Sequence, residues 1–86
     1  MTSPSDHRPE VTVLLFGHAA ELAGWSSQAM QAATVRELRA TLMEGTPSLS
    51  PVAESLLVAV DAAYVDDLQT LRGGEEVAFF PPVSGG

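Results

Sequence analysis

The two runs that most constrain this fold lie near opposite ends of the chain, residues 11–16 (Val-Thr-Val-Leu-Leu-Phe) and 77–80 (Val-Ala-Phe-Phe). Both are rich in β-branched and aromatic residues and short enough to be strands. Strands this apolar belong at the centre of a sheet. The first and last strands are therefore expected at the centre of the sheet. In residues 10–16, alternation puts Val11, Val13 and Leu15 on the core face and Leu14 and Phe16 on the other. In residues 76–80 it turns Val77 and Phe79 to the core and Phe80 outward.

The segments between are punctuated clearly. Gly17 stops the first strand, and residues 19–23 have high helix propensity before Gly24, which predicts one or two turns of helix. Residues 26–33 alternate weakly and read as a second strand. Thr34-Val35-Arg36-Glu37 is a capping box, in which the threonine hydroxyl accepts from the N3 amide and Glu37 reaches back to the cap amide. Val35, Leu38 and Leu42 then recur at helical spacing, with Gly45 suited to the C′ position. Residues 46–51 form a Pro/Ser loop, 56–61 a third strand and 64–65 a short fourth. Leu68 and Leu71 lie in a connecting segment, and residues 72–75 form a turn whose glycines supply positive φ. The expected fold is α+β: a mixed sheet of four or five strands packed on one main helix.

At 86 residues and 45% hydrophobic content, the chain suffices for one small domain with its own core. Residues 1–9, rich in Pro and Ser, read as a disordered arm; 10–80 form the domain and 81–86 a tail. Cysteine is absent, which removes disulfides, thiolate metal sites and cysteine nucleophiles together and is compatible with a reducing cytosol. His7 and His18 fall on different segments, so no metal site is expected. The net charge is −7, and every positive charge is an arginine. Such a chain is repelled by nucleic acid and anionic membranes; the charge suits a partner with a basic docking face, or serves solubility alone. No apolar run approaches the ~20 residues of a membrane span, and the first residues contain no apolar stretch of a secretory signal. No Ser/His/Asp set, paired-carboxylate site or phosphate loop stands out, and the Glu75-Glu76 pair reads as a solvated turn.

The tail is unlike the rest. Pro81 and Pro82 end the last strand, because proline has no N–H for the ladder, and favour an extended path. Six residues at ~3.3 Å each would project ~20 Å from the sheet. Gly85 and Gly86 lack Cβ atoms, so such a segment could thread a narrow channel and let a catalytic group approach the terminal carbonyl closely. Without ladder partners, the tail is expected to move on the nanosecond timescale until a partner orders it.

The run Gly74-Glu75-Glu76-Val77-Ala78-Phe79-Phe80-Pro81-Pro82-Val83-Ser84-Gly85-Gly86 resembles the ubiquitin-like β-grasp sulfur carriers of the MoaD/ThiS type, nearest the small subunits of molybdopterin synthase. Weaker support comes from Val13-Leu14-Leu15-Phe16-Gly17, Glu21-Leu22-Ala23-Gly24, Thr34-Val35-Arg36-Glu37-Leu38 and Leu57-Val58-Ala59-Val60-Asp61. Many members carry asparagine where this chain has Asp61.

The resemblance implies that a ubiquitin-activating-enzyme-like adenylyltransferase uses ATP to form an acyl-adenylate at Gly86, with Gly85 beside it. A sulfur donor then makes the thiocarboxylate, and the large synthase subunit transfers the sulfur to cyclic pyranopterin monophosphate to build the molybdopterin dithiolene. It implies a cytoplasmic carrier with no bound cofactor, in a heterotetramer whose catalytic groups lie on the large subunit. Phe80, Pro81, Pro82, Val83 and Ser84 would contact that subunit, with Leu14, Phe16, Leu57 and Ala59 forming an exposed apolar patch beside the tail root if their strands are neighbours. Sulfur carriage for thiamine thiazole or cysteine synthesis, and a ubiquitin-like modifier joined to lysines through Gly86, remain open alternatives, as does a plain interaction domain. The absence of lysine excludes lysine-linked chains of the protein on itself.

Overall fold

A computed structural model describes residues 8–82. Strand β1 (Glu10–Leu15) leads into helix α1 (Gly17–Ala23), strand β2 (Ser27–Gln31) and helix α2 (Val35–Gly45). Two single 3₁₀ turns, Pro47–Leu49 and Ala53–Ser55, carry the chain to β3 (Leu57–Val60), β4 (Ala63–Tyr64) and β5 (Glu76–Phe80). The sheet order is β2-β1-β5-β3-β4, so the last strand is central and the first lies beside it. β1 and β5 run parallel; every other pairing is antiparallel.

The core forms where one sheet face meets α2. Val13, Val77 and Val60 share one row across β1, β5 and β3, and Leu15, Phe79 and Val58 share the next. Val13, Val77 and Phe79 are completely buried, as are Val35, Leu38 and Leu42 on the facing stripe of α2. Leu71 closes the core from the connecting segment, whereas Leu68 is exposed.

The helix ends differ from their sequence expectations in instructive ways. Thr34 Oγ1 accepts from the Glu37 N–H at 3.2 Å, as a capping box requires. The reciprocal contact goes one residue further back, with Glu37 Oε1 accepting from the Ala33 N–H at 2.7 Å. The same carboxylate takes Arg8 Nε at 3.0 Å, and the Pro9 carbonyl accepts from Ala32 N–H at 3.0 Å. Residues 8 and 9 of the expected arm are thus tied to the domain; residues 1–7 lie outside the described residues. Gly45 is the last residue of α2 rather than its C′ glycine: Thr46 caps the helix instead, its N–H donating to Leu42 O at 2.9 Å, and its side chain is buried. The left-handed glycine cap does occur at α1, where Gly24 adopts φ 82°.

Arg39, given no role in the sequence reading, links several elements. Its guanidinium donates to the carbonyls of Ala53 and Leu56 at 2.8 and 2.9 Å and grips both carboxylate oxygens of Asp67 at 3.2 and 2.8 Å. It also lies 5.4 Å from the centre of the Phe79 ring. One side chain of α2 therefore anchors the loop before β3 and the loop after β4 while covering the central core aromatic.

Candidate functional site

The site is the root of the tail, where β1 and β5 end side by side. Phe16 N–H donates to Phe79 O at 3.2 Å, continuing the parallel ladder one residue past β1. Gly17 then turns the chain away with φ +58°, and the ring of Pro81 lies over it, 3.6 Å from where a Cβ would stand. Positive φ favours glycine here, and Pro81 leaves the sheet at ordinary contact distance from that position. Pro81 is half-buried and Pro82 exposed. Val83, Ser84, Gly85 and Gly86, and with them the expected path and mobility of the tail, lie outside the described residues.

Strand alternation and the register place an apolar surface next to this exit. On the face away from α2, Leu14, Ala78 and Ala59 form one row, which Tyr64 extends. Phe80 pairs with Leu57 in the next row, and Phe16 stands on the other side of Phe80. Phe16 is 50% exposed, Leu57 39% and Tyr64 73%, while Leu14 and Phe80 are half-buried. The expected neighbourhood of Leu14, Phe16, Leu57 and Phe80 is thus present.

Ala59 departs from the exposed position expected of it. It is only 8% exposed and contributes little free surface. Tyr64, opposite it on β4, meets Phe80 of β5 edge-on at 5.6 Å between ring centres. That contact passes over β3 and shields the small Ala59 side chain. Tyr64 and Ala78 were missed by the sequence reading. Ala78 follows from the alternation that exposes Phe80; Tyr64 needs the β3–β4 register, which the sequence does not supply.

The far end of β5 is held by a carboxylate. Glu75 accepts from the Arg72 and Gly73 N–H groups at 2.7 and 2.6 Å, across glycines at φ 115° and 85°. These bonds, that of Arg72 foremost, hold the Glu75 carboxyl below its usual pKa range. Its role is structural, and it lies at the opposite end of β5 from the tail. No cluster of three or more potential metal ligands occurs among the described residues, and no helix among them is long and apolar enough to cross a membrane.

A family model described as the ThiS family matches residues 13–86, which includes Gly85 and Gly86. The molybdopterin synthase sulfur carrier subunit of Chlamydomonas reinhardtii is 33% identical over 82 residues, covering 90% of this chain and 99% of the relative. The protein of the same name from Escherichia coli is 36% identical over 80 residues, covering 88% and 99%. Among solved structures, SAMP1 of Haloferax volcanii superposes with a TM-score of 0.79 at 28% identity, covering 90% of this chain and 99% of that one. A complex of subunits 1 and 2 of molybdopterin-converting factor from Helicobacter pylori contains a chain that matches with a TM-score of 0.70 at 28% identity and the same coverage.

Proposed function

This chain belongs to the ThiS family, and from that premise we propose that it is the sulfur carrier of a molybdopterin synthase, acting through the carboxylate of Gly86. The observation that carries this reading is the coupling of a family match extending through Gly86 to a tail root where the central strand leaves the sheet beside an exposed apolar surface. The curated relatives at 33% and 36% identity bear the synthase name, which favours this branch over thiamine or cysteine synthesis.

The chemistry follows from the weakness of a carboxylate as an electrophile. An adenylyltransferase joins the Gly86 carboxylate to AMP, with pyrophosphate leaving ATP. A sulfur donor then displaces AMP and leaves a thiocarboxylate, a sulfur nucleophile on a chain that contains no cysteine. The large synthase subunit receives the tail and uses that sulfur to build the dithiolene. The carrier's residues present the group and dock it; catalytic side chains belong to the partners. Phe80, Phe16, Leu57 and Leu14 form the docking surface, with Pro81 and Pro82 directing the tail into the partner. ATP acts at the activating enzyme, in the cytoplasm, and the carrier itself holds no cofactor.

The likeness to SAMP1, a small archaeal modifier protein, supports a rival reading in which Gly86 is joined to lysines of other proteins. Reconstitution separates the two. The chain carrying a Gly86 thiocarboxylate, mixed with the large subunit and cyclic pyranopterin monophosphate, should yield molybdopterin and return the carrier as its carboxylate. Failure to form molybdopterin, with the chain recovered in amide linkage to other proteins after activation, would replace the carrier reading with the modifier one.

A further inference from the structure

The two edges of the sheet are treated differently. β4 exposes an edge only two residues long, Ala63–Tyr64, whereas β2 runs for five, Ser27–Gln31. Long edges are usually blunted by charge, proline or a bulge, since unpaired N–H and C=O groups invite another strand. β2 has none of these devices: its sequence is Ser-Gln-Ala-Met-Gln, and no charged residue occurs between Glu21 and Arg36.

The phase of the ladder identifies the free groups. Leu15 N–H donates to Ser26 O, and Ala32 N–H to Pro9 O. Residues 26, 28, 30 and 32 therefore turn their backbone groups toward β1, while Ser27, Ala29 and Gln31 turn theirs outward. Among the described residues no hydrogen bond engages those three, and all are exposed.

A cavity of about 430 Å³ opens beside this edge, lined by Ala23, Trp25, Ser27, Gln28, Gly45 and Thr46. It lies on the helix side of the sheet, between the start of β2 and the C-terminal end of α2. The Trp25 ring forms one wall, with its Nε1 donating to Thr46 Oγ1 at 3.4 Å. A strand laid along β2 points alternate side chains to the helix side, and one opposite Gln28 reaches the cavity. The charges nearby in the chain are mostly acidic: Glu10 pairs with Gln31 at one end, where Arg8 is held by Glu37, and Glu21 and Glu44 lie close in sequence to the lining residues Ala23 and Gly45 at the other.

We propose that the β2 edge is a docking site for an extended, basic-flanked segment of a partner protein, which adds a sixth strand to the sheet and drops one apolar side chain into the cavity beside Trp25. The backbone pairing supplies the register, the Trp25 ring offers the apolar contact within a cavity otherwise lined by small and polar residues, and the net charge of −7 favours basic flanks. A second copy of this chain is disfavoured as occupant because it brings another net charge of −7 to a chain already as acidic. The edge lies on the opposite side of the sheet from β4, and its Ser27 end is paired with Leu14, next to the tail root. It holds or fails independently of the sulfur-carrier reading.

The test is a titration of the ¹⁵N-labelled full chain with blocked heptapeptides KSVXVSK, where X is V, L or F, read by amide shifts and the Trp25 indole signal. Saturable shifts are expected at Ser27, Ala29, Gln31 and Trp25, with dissociation constants of about 0.1–1 mM. The glutamate-flanked peptides should bind at least about tenfold more weakly, and so should versions N-methylated at alternate residues, which cannot donate to β2. An Ala29→Pro variant should show the same loss, because the N–H it removes faces solvent rather than β1. No saturable shift with any of the three peptides would overturn the proposal. So would shifts centred on Phe80 and Leu57, or equal binding of basic and acidic peptides. Concentration-dependent dimerisation through the same amides, without peptide, would assign the edge to a second copy instead.

Discussion

Phe79 and Phe80 are neighbours in sequence with opposite surroundings. Phe79 is completely buried between the sheet and α2, while Phe80 stands half-exposed on the other face against Tyr64. Phe79→Ala should cost about 3–5 kcal/mol of stability, read as a lower urea midpoint. Phe80→Ala should leave the fold intact and weaken binding to the large synthase subunit by about 1–2 kcal/mol in calorimetry. A folded Phe80→Ala chain with unchanged affinity would remove Phe80 from the docking surface. A second pair of neighbours sits in the β3–β4 turn, where Asp61 and Ala62 both take positive φ, 49° and 72°. Both central residues of a type I′ hairpin turn need that conformation. Aspartate tolerates it, and Asp61 Oδ1 also accepts from Glu76 N–H at 3.0 Å. That explains why an asparagine or aspartate suits the position. Alanine gains no such compensation, so Ala62→Gly should stabilise the chain by about 0.5–1 kcal/mol, measured by urea denaturation. An unchanged or lower midpoint would show that this turn carries no strain.

β1, β3 and β5 were legible as elements because they are short runs rich in β-branched and aromatic residues, and β5 and β1 could be placed centrally because they are the most apolar. The two faces followed from alternation along the strands. What stayed hidden were the interactions between residues far apart in sequence. The Tyr64–Phe80 contact depends on strand register, and the shielding of Ala59 follows from it. Arg39 falls outside the apolar stripe of α2 and carries no sequence signal, yet its side chain is 12% exposed and joins two loops that periodicity cannot locate relative to the helix. Arg39→Leu should cost about 2–4 kcal/mol, because the carbonyls of the buried residues Ala53 and Leu56 lose their donors and Asp67 its partner; thermal denaturation reads this directly. The Glu75 turn adds a pH dependence. Its carboxyl pKa is lowered on folding, so its contribution is present above the ordinary glutamate range and fades as pH falls through the lowered folded value. Glu75→Gln should therefore flatten the loss of stability on acidification below about pH 5, relative to the wild-type chain. Parallel pH profiles for the two would assign the acid sensitivity to other groups.

For the whole molecule, a small acidic domain brings its central strand to one end of the sheet, where the tail begins, and on the proposed carrier function the partners perform the chemistry. Sulfur loading on this reading depends on where the acyl group lies. Adding one residue after Gly86 moves the carboxylate by ~3.5 Å and places a Cβ next to the activating site. A displacement of even 1 Å can cost ~100-fold in rate. The core is untouched, so the extended chain should fold as the wild type does. The most direct measurement is the intact mass, with mapping of the C-terminal peptide, after incubation with the activating enzyme, ATP and a sulfur source. The wild-type chain should gain the mass difference of one sulfur replacing one oxygen, localised to Gly86, and the extended chain should gain nothing. An extended chain that acquires sulfur at its new end and still supports molybdopterin formation would contradict the account.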